Sequence, residues 1–147
     1  MSNLRFEAPI RNFEDAERFL GGRTAKELAY KTVVSRNKDV IGVYHHGTAI
    51  AFFSNARPIE SVNGTPTLAM LRTGGWDTAT TTRRLHMLIP SYAPAGLSIG
   101  ITDGQTVARI DGYEYPFDSL AFAADGQSWA FNGGKMLRMS HATRDAA

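Results

Sequence analysis

Cysteine is absent from the 147 residues. That excludes disulfides, thiolate zinc sites, iron–sulfur clusters and cysteine nucleophiles, and it fits a reducing compartment. No apolar run reaches 18 residues, so no membrane-spanning helix and no membrane partner are expected. The stretch Met1-Ser2-Asn3-Leu4-Arg5-Phe6-Glu7 has no apolar core, so a secretory leader is not expected and the location that follows is the cytoplasm. There is no Lys/Arg-rich run and no basic tail. Nucleic acid therefore stays open as a partner but is not favoured. No repeat, low-complexity stretch or linker breaks the chain.

What remains is ordinary globular composition, 43% apolar and 20% charged. A chain of this length and content fits one domain that folds without staples. The net charge of +2 is unevenly spread. Residues 31–92 hold seven basic groups against three acids, a local +4, and the remainder sums to −2. A basic segment suits an anionic ligand, and a solvated mixed surface would look the same.

The expected fold class is α+β. Asn12 reads as an N-cap, followed by acidic Glu14 and Asp15 and the apolar stripe Phe13, Ala16 and Leu20, with Gly21-Gly22 as the stop. Thr24 with Glu27 reads as a capping box for a short helical turn ending near Tyr30. From Lys31 the apolar period changes to two. Strands are expected over 31–36, 40–45, 48–54 and 67–72, joined by Asn37-Lys38-Asp39, by a His46-Gly47 hairpin and by a longer loop with Pro58 and Asn63-Gly64. This is an antiparallel meander. Gly74-Gly75 ends it, and Asp77 or Thr78 caps a central helix with Leu85, Leu88 and Ile89 on one stripe and Pro90 as its bound. Arg83, Arg84 and His86 fall mainly off that stripe. The last third carries two hairpins, over 97–111 and 120–131, around Asp103-Gly104 and Asp125-Gly126. The organisation is thus a single domain 1–147: a helical segment 1–30, a body 31–134, and a tail 135–147 that is a short helix or frayed.

The densest chemistry lies in Leu71-Arg72-Thr73-Gly74-Gly75-Trp76-Asp77-Thr78-Ala79-Thr80-Thr81-Thr82-Arg83-Arg84. It is a strand end, a glycine turn and a helix start, which together expose N–H groups to an anion. Thr78, Thr80, Thr81 and Thr82 offer hydroxyls, Arg72, Arg83 and Arg84 forked cations, and Trp76 a stacking face. The plainer readings are that Asp77 itself fills the anion place and that Trp76 is a core anchor. The phosphate-loop spacing G-x-x-x-x-G-K-[ST] is absent.

His45 and His46 are strand neighbours on opposite faces, so no shared metal is expected, and His86 and His141 lack ligand spacing. No serine nucleophile elbow and no dinucleotide-binding turn are expected. No catalytic residue, metal or cofactor is therefore assigned, and binding is favoured over turnover. In the aromatic last third, Tyr113-Glu114-Tyr115-Pro116-Phe117 falls in a turn region, which leaves Tyr113 to stack and Arg109 to supply a cation, or both simply to cover the core edge.

Two stretches, His45-His46-Gly47-Thr48-Ala49-Ile50 and Thr67-Leu68-Ala69-Met70-Leu71-Arg72-Thr73-Gly74-Gly75-Trp76 with Thr78, Thr80-Thr81 and Arg84, resemble a group of small phage-encoded proteins that share a GGWxTxTTxxR segment. The resemblance covers about residues 30–120, with Gly112 and Pro116-Phe117 as a later matching turn. The order of elements is also similar to the phage anti-Thoeris sponge, a family that sequesters cyclic ADP-ribose isomers. That resemblance implies a non-enzymatic homo-oligomer with pockets shared between protomers and built from arginines and stacking side chains. Residues of the right type here are Arg57, Arg72, Arg83, Arg84, Arg109, Trp76 and Tyr113. The expectation is a small anionic nucleotide as ligand. The alternatives are a protein that binds a host protein or DNA, and a small nucleotide-cleaving enzyme using His45 and His46.

Overall fold

The computed structural model describes residues 10–55, 60–62, 65–123, 125, 127–134 and 137–138. Its first helix, α1, forms over Phe13–Leu20 for local reasons. The Asn12 side chain accepts from the Asp15 N–H at 2.7 Å, and Gly21 ends the helix at φ 56°. Phe13, Ala16 and Leu20 are buried, as their spacing requires.

The strands then follow one another with tight turns: β1 Ala25–Ala29, β2 Thr32–Asn37, β3 Val40–His45, β4 Thr48–Ser54, β5 Glu60–Val62, β6 Thr65–Thr67 and β7 Ala69–Arg72. Helix α2 spans Ala79–Met87. After it come β8 Ser98–Thr102, β9 Gln105–Ile110, β10 Tyr113–Pro116, β11 Ser119–Phe122, β12 Ser128–Phe131 and β13 Leu137–Arg138. The large antiparallel sheet has the order β1-β2-β3-β4-β7-β11-β12-β13, a second sheet has the order β10-β9-β8, and β5-β6 form a separate hairpin. The meander, the central helix and the C-terminal hairpins are as expected for the α+β class. No helix among the described residues is long and apolar enough to cross a membrane.

The chain leaves the large sheet at Arg72 and returns at Ser119, which pairs directly with Arg72. The Thr73 N–H donates to the Asp118 carbonyl at 2.9 Å and closes this gate. Residues 73–118 are therefore an excursion holding α2 and the small sheet. A single apolar cluster joins all layers: Phe13 and Leu20 of α1, Val34, Ile41, Phe53 and Leu71 of the large sheet, Leu85 of α2, and Ile99 and Ile110 of the small sheet. Full burial of a side chain such as Leu85 contributes roughly 2 kcal/mol.

Four expectations need correction. The short helical turn expected over 24–30 is strand β1, antiparallel to β2. One turn of helix leaves most of its hydrogen bonds unmade, whereas pairing along β2 supplies them. The single strand expected over 67–72 is split into β6 and β7 at Leu68, whose N–H donates to the Phe122 carbonyl. The turn expected at 113–117 is strand β10. Asp111-Gly112, with φ of 51° and 82°, forms a two-residue hairpin that sends the chain back along β9. Within the tail expected as a helix or frayed end, Leu137–Arg138 instead pair with β12. Pro58, Asn63-Gly64 and the rest of residues 135–147 lie outside the described residues.

Candidate functional site

The turn after β7 is fixed by its own polar groups. Thr73 is buried, its Oγ1 accepts from the Gly75 N–H at 3.3 Å, and its carbonyl accepts from the Trp76 N–H at 3.0 Å. Gly74 and Gly75 stand at φ 64° and 86°, the left-handed region where a side chain is strained. The turn presents Trp76 outward, 41% exposed. The core-anchor reading of Trp76 is thus overturned, because two glycines turn the backbone away from the core before the indole is reached.

Between the two caps considered, Thr78 is the N-cap. Its Oγ1 accepts from the Thr81 N–H and donates to Thr81 Oγ1, both at 3.2 Å. Asp77 does different work: its Oδ1 accepts from both the backbone N–H and the hydroxyl of buried Thr106, tying the start of α2 to β9. Thr81 and Thr82 face inward, whereas Thr80 borders solvent.

Arg84 departs from expectation. Placed off the apolar stripe by its spacing, it is nonetheless only 3% exposed, and its Nη2 donates to the Tyr30 carbonyl at 3.3 Å. Burial first, and the Arg83 charge second, push its pKa down. Both effects disfavour a cation there, and an anion brought close would oppose both.

The β3–β4 hairpin meets this turn. His45, 4% exposed, ends β3, with its Nδ1 3.1 Å from the Thr32 hydroxyl. Its pKa is lowered to about 4, chiefly by burial, then by the charges of Arg84 and His46. His46 has left the strand and sits at φ 53° in the turn. The opposite-face rule for strand neighbours therefore fails here, and the two imidazole centroids are 4.4 Å apart. His46 lies nearly parallel to Trp76, 28° between planes and 5.5 Å between centroids. Among the described residues, no group of three His, Cys, Asp or Glu could hold a metal.

These parts enclose a cavity of about 340 Å³ lined by Tyr30, His45, His46, Trp76, Thr78, Thr80 and Arg84. The volume is at the small end for a ligand pocket. Its lining holds an aromatic face, hydroxyls and a guanidinium, and no carboxylate among the described residues.

The expected site residues separate into groups. Trp76, Thr78, Thr80 and Arg84 share the cavity, and Thr81 lies behind it as the partner of the cap. Arg72 lines a neighbouring groove of about 710 Å³ with Thr48, Asp118 and Asn132. Arg83 is exposed on α2 and does not line the cavity. Arg109 is on β9 and donates to Glu114 Oε2 at 2.7 Å, to the Ile101 carbonyl and to Thr102 Oγ1. Tyr113, 66% exposed, is on β10 beside Tyr115. Neither Arg109 nor Tyr113 lines the cavity or the groove. Arg57 and His141 lie outside the described residues.

Tyr30 also lines the cavity, and no local signal points to it, because its place depends on the β1–β2 hairpin where Thr24 and Glu27 suggest helix. The absence of a G-x-S-x-G spacing, the ground for expecting no nucleophile elbow, needs correction, because Gly96-Leu97-Ser98-Ile99-Gly100 carries that spacing. Ser98 opens strand β8 opposite Arg109, not a strand-to-helix turn. The nearby His86 Nδ1 accepts from the Ile99 N–H at 3.3 Å.

A family model described as Kyanoviridae Gp96 protein matches residues 16–130, most of the chain. The match spans both the His45-His46 hairpin and the Gly-Gly-Trp turn. No curated protein matches, and no solved structure matches.

Proposed function

The chain belongs to the Kyanoviridae Gp96 protein family, a phage protein family, and we propose from that premise that it binds and sequesters a small phosphorylated nucleotide without turning it over. The reading is that of a phage-encoded sponge for a nucleotide immune signal, such as a cyclic ADP-ribose isomer, acting as a homo-oligomer in the host cytoplasm. The observation that carries it is the cavity at Trp76. An exposed indole backed by His46 lies in the same lining as a buried guanidinium, with no carboxylate among the described lining residues.

Each part has a stated task. Trp76 stacks the base, an interaction worth about 1–3 kcal/mol per base. Arg84 meets phosphate in a low-dielectric setting, where a charge-assisted hydrogen bond is stronger than in water. Thr80 adds a hydroxyl at the rim. Thr78 spends its hydroxyl on capping the helix and so contributes through the shape of the wall. His45, held neutral and bonded to Thr32, orients the hairpin that carries His46. A buried, hydrogen-bonded imidazole with a strongly lowered pKa favours this positioning task over proton transfer to a bound ligand.

The test is thermal unfolding against mononucleotides, cyclic ADP-ribose isomers and cyclic dinucleotides, with mass spectrometry of each ligand afterwards. A ligand at about 1,000 times its dissociation constant stabilises by ~4 kcal/mol. The expected result is a shift of several degrees with one cyclic nucleotide that is recovered intact. Consumption of that ligand would mean an enzyme, and a flat panel would end the nucleotide reading.

A further inference from the structure

Two depressions flank the Gly74-Gly75 turn. The smaller is the Trp76 cavity, and the larger is the groove at Arg72, lined also by Thr48, Asp118, Ser119 and Asn132. Gly74 lines the groove and is two residues from Trp76, which lines the cavity. A Cβ on Gly74 would stand 2.6 Å from Thr48 Cγ2, on the groove side, and 3.6 Å from Trp76 Cδ1, on the cavity side. A Cβ on Gly75 would meet nothing within 4 Å. At Gly75 the turn is thus bare backbone with open space beside it, a saddle across which an extended molecule can lie.

The two sides differ in chemistry. The cavity offers an aromatic face and a buried cation. The groove is lined by exposed Arg72 together with Asp118 and the hydroxyl-bearing Thr48 and Ser119, with Thr48 against Gly74. A cation, a carboxylate and hydroxyls sharing one groove suit a phosphate that bears a sugar. The cation meets the phosphate, and the carboxylate accepts hydrogen bonds from sugar hydroxyls. The same carboxylate would repel a continuing chain of phosphates, which argues against an oligonucleotide.

We infer that one ligand straddles the saddle, and that its class is a nucleotide whose phosphate bears a second, hydroxyl-rich unit, as in a nucleoside diphosphate sugar. The base lies on Trp76, the proximal phosphate at Arg84, the distal phosphate at Arg72 and the sugar beside Asp118. This inference rests on the nucleotide reading of the Trp76 cavity and adds the groove as its second half.

The experiment measures quenching of tryptophan fluorescence by AMP, ADP and ADP-glucose. Trp129 is buried, so quenching by solute reports Trp76. In the wild type, ADP-glucose is expected to bind at least tenfold tighter than AMP. Arg72→Gln should bring ADP-glucose to within about twofold of AMP while AMP itself is held as before. Asp118→Asn should remove only the step from ADP to ADP-glucose. Equal affinity for AMP and ADP-glucose in the wild type, or a full advantage surviving both substitutions, overturns the straddling ligand and leaves the cavity reading standing. AMP and ADP-glucose both failing to quench overturns it as well, and the panel of cyclic nucleotides then decides the cavity reading by itself.

Discussion

His45 shows how one buried side chain ties the site to solution conditions. Its folded pKa of about 4 lies below the unfolded value of 6.5. Between those two values the unfolded chain holds more protons than the folded one. The stability His45 confers is therefore complete above pH 6.5 and is lost as the pH falls toward 4. The gap corresponds to roughly 3 kcal/mol at about 1.4 kcal/mol per unit. Urea unfolding of wild type and His45→Gln at a series of pH values is expected to show a difference that shrinks across this window. A constant difference would mean that His45 is not held neutral. Trp76 makes the opposite prediction. Because the indole is substantially exposed, Trp76→Ala should alter the unfolding midpoint little, within about 0.5–1 kcal/mol, yet weaken nucleotide binding at least tenfold, as titration calorimetry would read. Arg84→Met separates charge from packing, since it keeps the apolar stem and removes the cation. Its expected outcome is a stable protein that no longer binds phosphate.

At the level of elements, the site depends on how the β7–α2 turn is built. Gly74→Ala must both adopt φ near 64° and press a methyl on Thr48, so a loss of about 1–3 kcal/mol is expected in thermal or denaturant unfolding. Thr78→Ala removes the cap of α2 and should cost about 1 kcal/mol. Asp77→Ala breaks the tie to Thr106 and leaves a buried hydroxyl and N–H to find other partners, at about 1–3 kcal/mol. These elements also show what the sequence made legible. Asn12, Gly21 and the stripe Phe13, Ala16 and Leu20 are local signals, and α1 forms where they stand. The His46-Gly47 and Asp103-Gly104 hairpins are read correctly for the same reason, since a two-residue turn with positive φ is written in two letters. Thr24 and Glu27 mislead because a cap pattern is also short, and the decision there belongs to β2, a partner the local pattern does not contain. Arg84 is misplaced on similar grounds: an arginine reads as surface until the Tyr30 carbonyl and the hairpin of histidines are known to lie above it.

For the whole molecule, the two stretches that carry the resemblance, around His45-His46 and around Gly74-Gly75-Trp76, are distant in sequence and adjacent in space. Their union is not legible from either alone, because it follows from the register of β3, β4 and β7, where Ala51 pairs with Leu71. The groove is further removed from sequence reading. Arg72 is a candidate by its type, but Asp118 and Asn132 join it only because the chain returns to its point of departure. That return also has a consequence in time. Arg72 and Ser119 come together across the whole of residues 73–118, and closing so long a loop costs conformational entropy that grows with its length. The α2 helix and the β8–β9 and β9–β10 hairpins need only near neighbours, so they assemble sooner and shorten the distance still to be closed. The groove is accordingly expected to gain amide protection later than the β8–β9 and β9–β10 hairpins when refolding is followed by pulsed hydrogen exchange.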